Sequence, residues 1–234
     1  MRRREGPSTN DTVLDDAAFL RFEWPGEVSL LPRAALDLRE PLTVLIGGIE
    51  TIRRRGGDIS WHDYDALLVA MSQRAHRLSE SMAGVFLAEQ LQRGLEPEGE
   101  PCPVLALVRE AADGVLNRDE AGSVRFEGAP DAVAWCDRQV LRQLAAALLD
   151  DAIGAAPNEV VVRADADDEG VTLSIGSGSA GLDDKQRAAL EAGALAELPL
   201  GLHIAATLAR AVGARLEPYE NGGDAGIVVH LQPV

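Results

Sequence analysis

Leu31-Pro32-Arg33-Ala34-Ala35-Leu36-Asp37-Leu38-Arg39-Glu40-Pro41-Leu42-Thr43-Val44-Leu45-Ile46-Gly47-Gly48-Ile49-Glu50-Thr51-Ile52 is the stretch that decides the architecture. Its apolar residues Leu31, Ala35, Leu38, Leu42, Leu45, Ile49 and Ile52 recur in alternating steps of four and three. That spacing is a heptad seam on one helix face, the pattern of coiled coils and four-helix bundles. Gly56-Gly57-Asp58 ends the helix, and Ser60 caps the next one. The second helix repeats the seam at Tyr64, Leu67, Met71, Ala75, Leu78, Met82 and Val85, and runs to about Leu95. So short a link makes residues 29–95 an antiparallel hairpin. One hairpin cannot bury both sides of its seam. A second copy is expected to complete a four-helix bundle, with Leu38, Leu42, Leu45, Ile49, Leu78 and Met82 at the homodimer interface.

Upstream, residues 1–28 are polar and read as a partly disordered tail, with residues 1–10 open to reading as a frayed terminus. One apolar knot, Phe19, Leu20, Phe22 and Trp24, gives that tail a means of docking. Downstream, Glu96-Pro97-Glu98-Gly99-Glu100-Pro101 reads as a linker. Residues 102–234 then alternate in period. Helices are expected at Val104–Leu116, Asp137–Ile153 and Leu202–Val212. Strands are expected at Val124–Phe126, Val133–Trp135, Glu159–Ala164, Gly170–Ile175 and Ile227–Leu231. Helices set against a mixed sheet make this second unit an α+β layer domain.

Composition narrows the function. The 234 residues carry 22 Lys+Arg against 38 Asp+Glu, a net charge of −16, with 46% hydrophobic residues. The apolar share excludes wholesale disorder, and the acidic balance argues against nucleic acid, which needs a basic face. Lys185 is the one lysine, so any mechanism that needs a lysine must use it. Cys102 and Cys136 have no metal-ligand spacing and are too few for a disulfide scaffold. No apolar run is long enough to span a membrane, and no apolar core follows the basic start, so a soluble cytoplasmic protein is expected.

Several short motifs in the same order resemble those of sensor histidine kinases. Leu36-Asp37-Leu38-Arg39-Glu40-Pro41-Leu42-Thr43 is similar to their H-box, commonly H-E-L-R-T-P-L-T. Leu141-Arg142-Gln143-Leu144 through Leu148-Leu149-Asp150-Asp151-Ala152-Ile153 resembles their N-box. Ser177-Gly178-Ser179-Ala180-Gly181-Leu182 lies where D-x-G-x-G-I belongs, and Pro199-Leu200-Gly201-Leu202-His203-Ile204-Ala205 where G-L-G-L-x-I-A belongs. The resemblance covers residues 30–234. It implies a dimeric helical-hairpin domain followed by a Bergerat-type α/β sandwich, with helices on one face of a mixed sheet.

The resemblance also implies lost chemistry. The phosphoacceptor histidine of the family corresponds to Leu36, which has no lone pair to phosphorylate. Asp37, the neighbouring acid, has nothing to activate, and Glu40 stands where the family places a water-positioning Thr or Asn. The adenine-reading Asp is Ser177. Removing such a charge-assisted bond weakens binding by about 1.5–3 kcal/mol. Asp151 replaces the Mg²⁺-holding Asn and could itself hold the ion, Ala147 replaces the earlier one, and Gly154 the phosphate-facing Lys. Pro199 replaces a glycine, while Gly181 and Gly201 are kept. No catalytic residue, metal or cofactor is therefore expected, and Asp151, Ser177, Gly181 and Gly201 form a degenerate nucleotide site.

Other residues do not rescue catalysis. Folding the hairpin sets His76 opposite roughly position 42, on the order of 9 Å along the axis from Leu36, with no acid beside it. His62, His203 and His230 have no nucleophile partner, and Asp165-Ala166-Asp167-Asp168-Glu169 reads as a charged turn rather than a calcium loop. The expected function is that of a non-enzymatic pseudokinase acting by binding. Its partner is the receiver domain of a response regulator, docked over Asp37, Arg39, Glu40, Thr43, Gly47 and Gly48, or an active histidine kinase. The two glycines suit either a docked partner or packing within the bundle. The alternatives are a phosphotransfer protein with a relocated acceptor and a non-hydrolysing nucleotide sensor.

Overall fold

The structure is a computed structural model that describes residues 30–55, 57–116, 122–156, 159–167, 170–177, 181–221 and 224–233. The tail at 1–28, the apolar knot within it, and Gly178-Ser179-Ala180 lie outside the described residues. Helices α1 (Leu30–Asp37), α2 (Arg39–Arg55) and α3 (Trp61–Gln92) form the hairpin. Ser60 caps α3 by accepting a hydrogen bond from the Asp63 amide at 3.1 Å. The first helix, read from sequence as continuous, breaks at Leu38. Pro41 supplies the cause: it has no N–H for the Asp37 carbonyl, and its ring crowds that carbonyl. Helical bonding resumes where the Leu42 amide reaches the Leu38 carbonyl at 3.4 Å.

The second unit runs β1 (Glu100–Pro103), α4 (Val104–Val115), β2 (Val124–Gly128), β3 (Val133–Cys136), α5 (Arg138–Ala155), β4 (Val160–Asp167), β5 (Gly170–Ser177), α6 (Asp184–Ala192), α7 (Leu200–Ala211), β6 (Arg215–Asn221) and β7 (Asp224–Leu231). Five strands form a sheet in the order β2-β4-β5-β7-β6. The β2–β4 pair is parallel and the others antiparallel. Alternation along β7 buries Ala225, Ile227, Val229 and Leu231. Helices α4, α5 and α7 cover that face. The opposite face is polar and carries the Arg163–Glu127 and Arg215–Glu217 ion pairs at 2.6 and 2.8 Å. This is the expected mixed sheet with helices on one side.

Two strands escaped the sequence pattern. β1 begins at Glu100, inside the stretch read as linker, and pairs antiparallel with β3. β6 forms one edge of the main sheet. Both contain proline, Pro101 and Pro103 in one and Pro218 in the other, which is tolerated where a strand has a free side. No helix among the described residues is long and apolar enough to cross a membrane.

The hairpin does not stand apart from the sheet domain. The last third of α3 lies across α4, α5 and α7 as a further layer, burying Gly84, Val85, Leu87, Ala88 and Glu89. Leu30 and Ala34 of α1 are buried beside it. Cross-ties reinforce the contact. Gln143 Nε2 donates to the Glu80 carbonyl at 2.7 Å, Arg142 pairs with Glu80 at 3.3 Å, and Arg77 with Asp150 at 3.7 Å.

Candidate functional site

The residues expected to form a degenerate nucleotide site line a real cavity. Asp137 caps α5 by accepting from the Gln139 and Val140 amides, which fixes the helix that carries Asp150, Asp151 and Gly154. β5 ends on Ser177, 3% exposed, and α7 begins on Leu200 and Gly201. Together they enclose about 360 Å³, lined by Asp151, Ser177, Gly181, Leu182, Gly201 and apolar neighbours. That volume is within the range of small-molecule pockets. Asp151, Ser177, Gly181 and Gly201, named separately from sequence, therefore share one site.

A buried acid dominates its chemistry. Burial first, and then the neighbouring Asp150, push the Asp151 carboxyl up to about 6. Asp150 meets Arg77 across the domain contact, whereas no described cation pairs with Asp151. Pro199 caps α7 with no side-chain bond, and Gly201 in the first turn of that helix lines this acid-rimmed cavity. The retained glycines have packing reasons too. A Cβ at Gly181 would lie 2.8 Å from Ala225 Cβ, and one at Gly201 would lie 3.4 Å from the Ala147 carbonyl.

The raised Asp151 pKa predicts a pH dependence. The native state holds a proton that the unfolded chain releases near the ordinary carboxylate value of 3.8. Stability therefore falls as pH rises from about 4 through about 6. Allowing for partial exposure, the ionised form weakens the fold by roughly 1–2 kcal/mol. Asp151→Asn is expected to be more stable than the parent by that amount at neutral pH, and equal to it near pH 4. Thermal melts across this range test it; equal melting shifts at both ends would exclude the buried-acid account.

A second cavity, of about 640 Å³, adjoins the first through Asp150, Gly154 and Gly201. The hairpin contributes Asp37, Glu40, Arg74 and Arg77 to its lining, and α5 contributes Gln143. Asp37 lies 3.6 Å from Arg33. Leu36, expected at the phosphoacceptor position, is 60% exposed and lines neither cavity. None of the four histidines lines either one. His76 and His62 are exposed on α3, His230 pairs with Glu217 on the outer sheet face, and His203 is buried elsewhere. Cys102 and Cys136 are buried thiols whose pKa values burial raises, so neither is a ready nucleophile.

The remaining predicted residues separate into groups. Arg39 and Thr43 are exposed, and the Thr43 hydroxyl donates to the Arg39 carbonyl at 2.8 Å. Gly47 faces open space, whereas a Cβ on Gly48 would lie 2.7 Å from Met71 Sδ; Gly48 thus serves packing within the hairpin. Among the expected interface residues, Leu42, Ile49 and Met82 are 48%, 56% and 41% exposed. Leu45 is half-buried, while Leu38 and Leu78 turn into the second cavity. Sequence reading missed the junction residues Gln73, Arg77, Glu80 and Gly84. Their spacing of four, three and four was the available signal, a polar stripe that ends on a glycine.

No family model matches the sequence, and no curated protein matches it in sequence. Solved structures match it in shape. The histidine kinase AdeS of Acinetobacter baumannii aligns at 18% identity over 84% of this chain and 96% of its own, with a TM-score of 0.58. A bacterial phosphotransferase aligns at 19% identity over 89% of this chain and 100% of its own, with a TM-score of 0.56. Full-length ShkA, solved in complex with AMPPNP, aligns at 20% identity and a TM-score of 0.51, over 85% of this chain but 45% of its own. The chain has the fold of the histidine-kinase helical hairpin joined to its ATPase domain.

Proposed function

We propose that this chain is a catalytically inactive, histidine-kinase-like binding module of two-component signalling. Leu36 carries the reading: an exposed leucine occupies the turn of α1 where the fold's chemistry needs a nucleophilic imidazole. The absence of any histidine from the two adjoining cavities supports it. The module binds a receiver domain or an active kinase through Asp37, Arg39, Glu40, Thr43 and Gly47, without passing a phosphoryl group. Incubation with phosphorylated receiver domains is expected to leave it unlabelled. Label that is lost in His76→Ala would instead make it a phosphotransfer protein. The acid-rimmed cavity keeps a nucleotide-sensor reading in play. Calorimetry with Mg·ATP separates the two: no heat at physiological concentrations favours the binding module, and saturable heat favours the sensor.

The module acts as a homodimer. Leu42, Ile46 and Ile49 on α2 and Leu68, Met82 and Phe86 on α3 are exposed apolar residues, each at least 41% exposed. A second hairpin would cover them and complete four helices. The double substitution Ile49→Glu/Met82→Glu is expected to halve the mass measured by sedimentation, because it buries two charges in that seam. An unchanged mass would place the interface elsewhere.

A further inference from the structure

A third cavity, of about 700 Å³, lies away from both sites, between the end of α3 and α7. Leu91 and Gln92 form one wall, residues 193–196 another, and His203, Thr207 and Arg210 the floor and rim. His203 is 3% exposed, and its Nδ1 has no hydrogen-bond partner. Burial and the charges of Arg33 and Arg210 push its imidazole down to about 4, so it is neutral at physiological pH. Arg210 is exposed and meets no acid among the described residues. Arg33 reaches the same wall from α1, donating to the Ala196 carbonyl. Among the described residues, Arg210 is thus the one charged side chain lining the cavity, in a chain of net charge −16.

The described chain begins beside this cavity. Leu30 is fully buried, and the Leu31 amide donates to Glu89 Oε1 at 3.3 Å, two residues before Leu91 on α3. Immediately upstream, residues 11–29 carry Asp11, Asp15, Asp16, Glu23 and Glu27 against one base, Arg21, together with Phe19, Phe22 and Trp24. The six residues from Trp24 to Leu30 span up to about 20 Å when extended, enough to enter the cavity. We propose that the acidic-aromatic segment 19–29 docks into this cavity of its own chain, its aromatics filling the space and its acids meeting Arg210. Docking there ties α1, α3 and α7 together, so release of the segment loosens the hairpin from the sheet domain. This inference is independent of the proposed function.

Tryptophan fluorescence of the full chain tests it. The chain has three tryptophans, and Trp61 and Trp135 are 79% and 46% exposed. The difference spectrum between the parent and Trp24→Phe isolates Trp24. It is expected to lie to the blue of free peptide 11–29 and to resist acrylamide quenching severalfold better. Arg210→Glu is expected to move it to the peptide's position, and Arg210→Lys to leave it in place. A difference spectrum that coincides with the peptide's would overturn the proposal. So would a blue shift that survives Arg210→Glu, which would place the segment elsewhere. Shielding that grows with protein concentration would also overturn it, because the segment would then insert into a second copy.

Discussion

Gly84→Leu is expected to unfasten the hairpin from the sheet domain, at about 3 kcal/mol of stability. Even a bare Cβ at this position would lie 3.0 Å from Ile204 Cγ2 and 3.3 Å from Gln143 Nε2. Both neighbours are buried, Ile204 at 2% and Gln143 at 3% exposed. Gln143 is also held by its bond to the Glu80 carbonyl, so a leucine must displace α3 and strand a buried amide. Gly84→Ala sets two effects against each other. Alanine favours the helix by up to about 1 kcal/mol, while the close contact opposes it, so a change of less than that is expected. Denaturant unfolding of the three proteins decides. A leucine variant as stable as the parent would mean that the α3 contact contributes little.

Ser177→Asp is expected to raise affinity for Mg·ATP by about ten- to a hundredfold, the worth of one charge-assisted bond in a desolvated site. Ser177 ends β5 at the wall of the 360 Å³ cavity, where a carboxylate could accept from an exocyclic amine. Without nucleotide the same substitution should lower the melting temperature, because it buries an unpaired acid. Calorimetry and melts of one variant read both effects. Unchanged affinity would remove Ser177 from the adenine position. Leu36→His alone is expected to gain no label from Mg·ATP, since on the proposed reading Asp151, Gly154 and Pro199 stand at the phosphate positions.

Much of this fold was legible because its signals are local. The heptad steps of α2 and α3, the Ser60 cap and the alternation of β7 need only neighbours in sequence. That Asp151, Ser177, Gly181 and Gly201 line one cavity was legible through motif order, since β5, α5 and α7 must converge to close the sandwich. The Leu38 break was readable too, from Pro41 and the i−4 carbonyl it crowds. Prolines hid β1 and β6, because propensity penalises them without knowing which strands have a free edge. The docking of α3 was hidden for another reason. One periodic stripe can face a second copy or a second domain, and only the fit of Gly84 against Gln143 and Ile204 chooses. Gly48 shows the same ambiguity, which Met71 resolves.

Helix α3 belongs to both parts of the molecule, as one arm of the hairpin and as the outer layer over α4, α5 and α7. At 32 residues it is about 48 Å long. It therefore behaves as a lever whose short arm is clamped at Gly84–Glu89 and whose long arm projects past the cavity shared with Asp37 and Glu40. A partner that tilts the free end by a few degrees displaces it by several ångströms, while the clamped end only rotates. Mechanical information can thus cross from hairpin to sheet domain without any covalent chemistry, through the angle of one rigid rod.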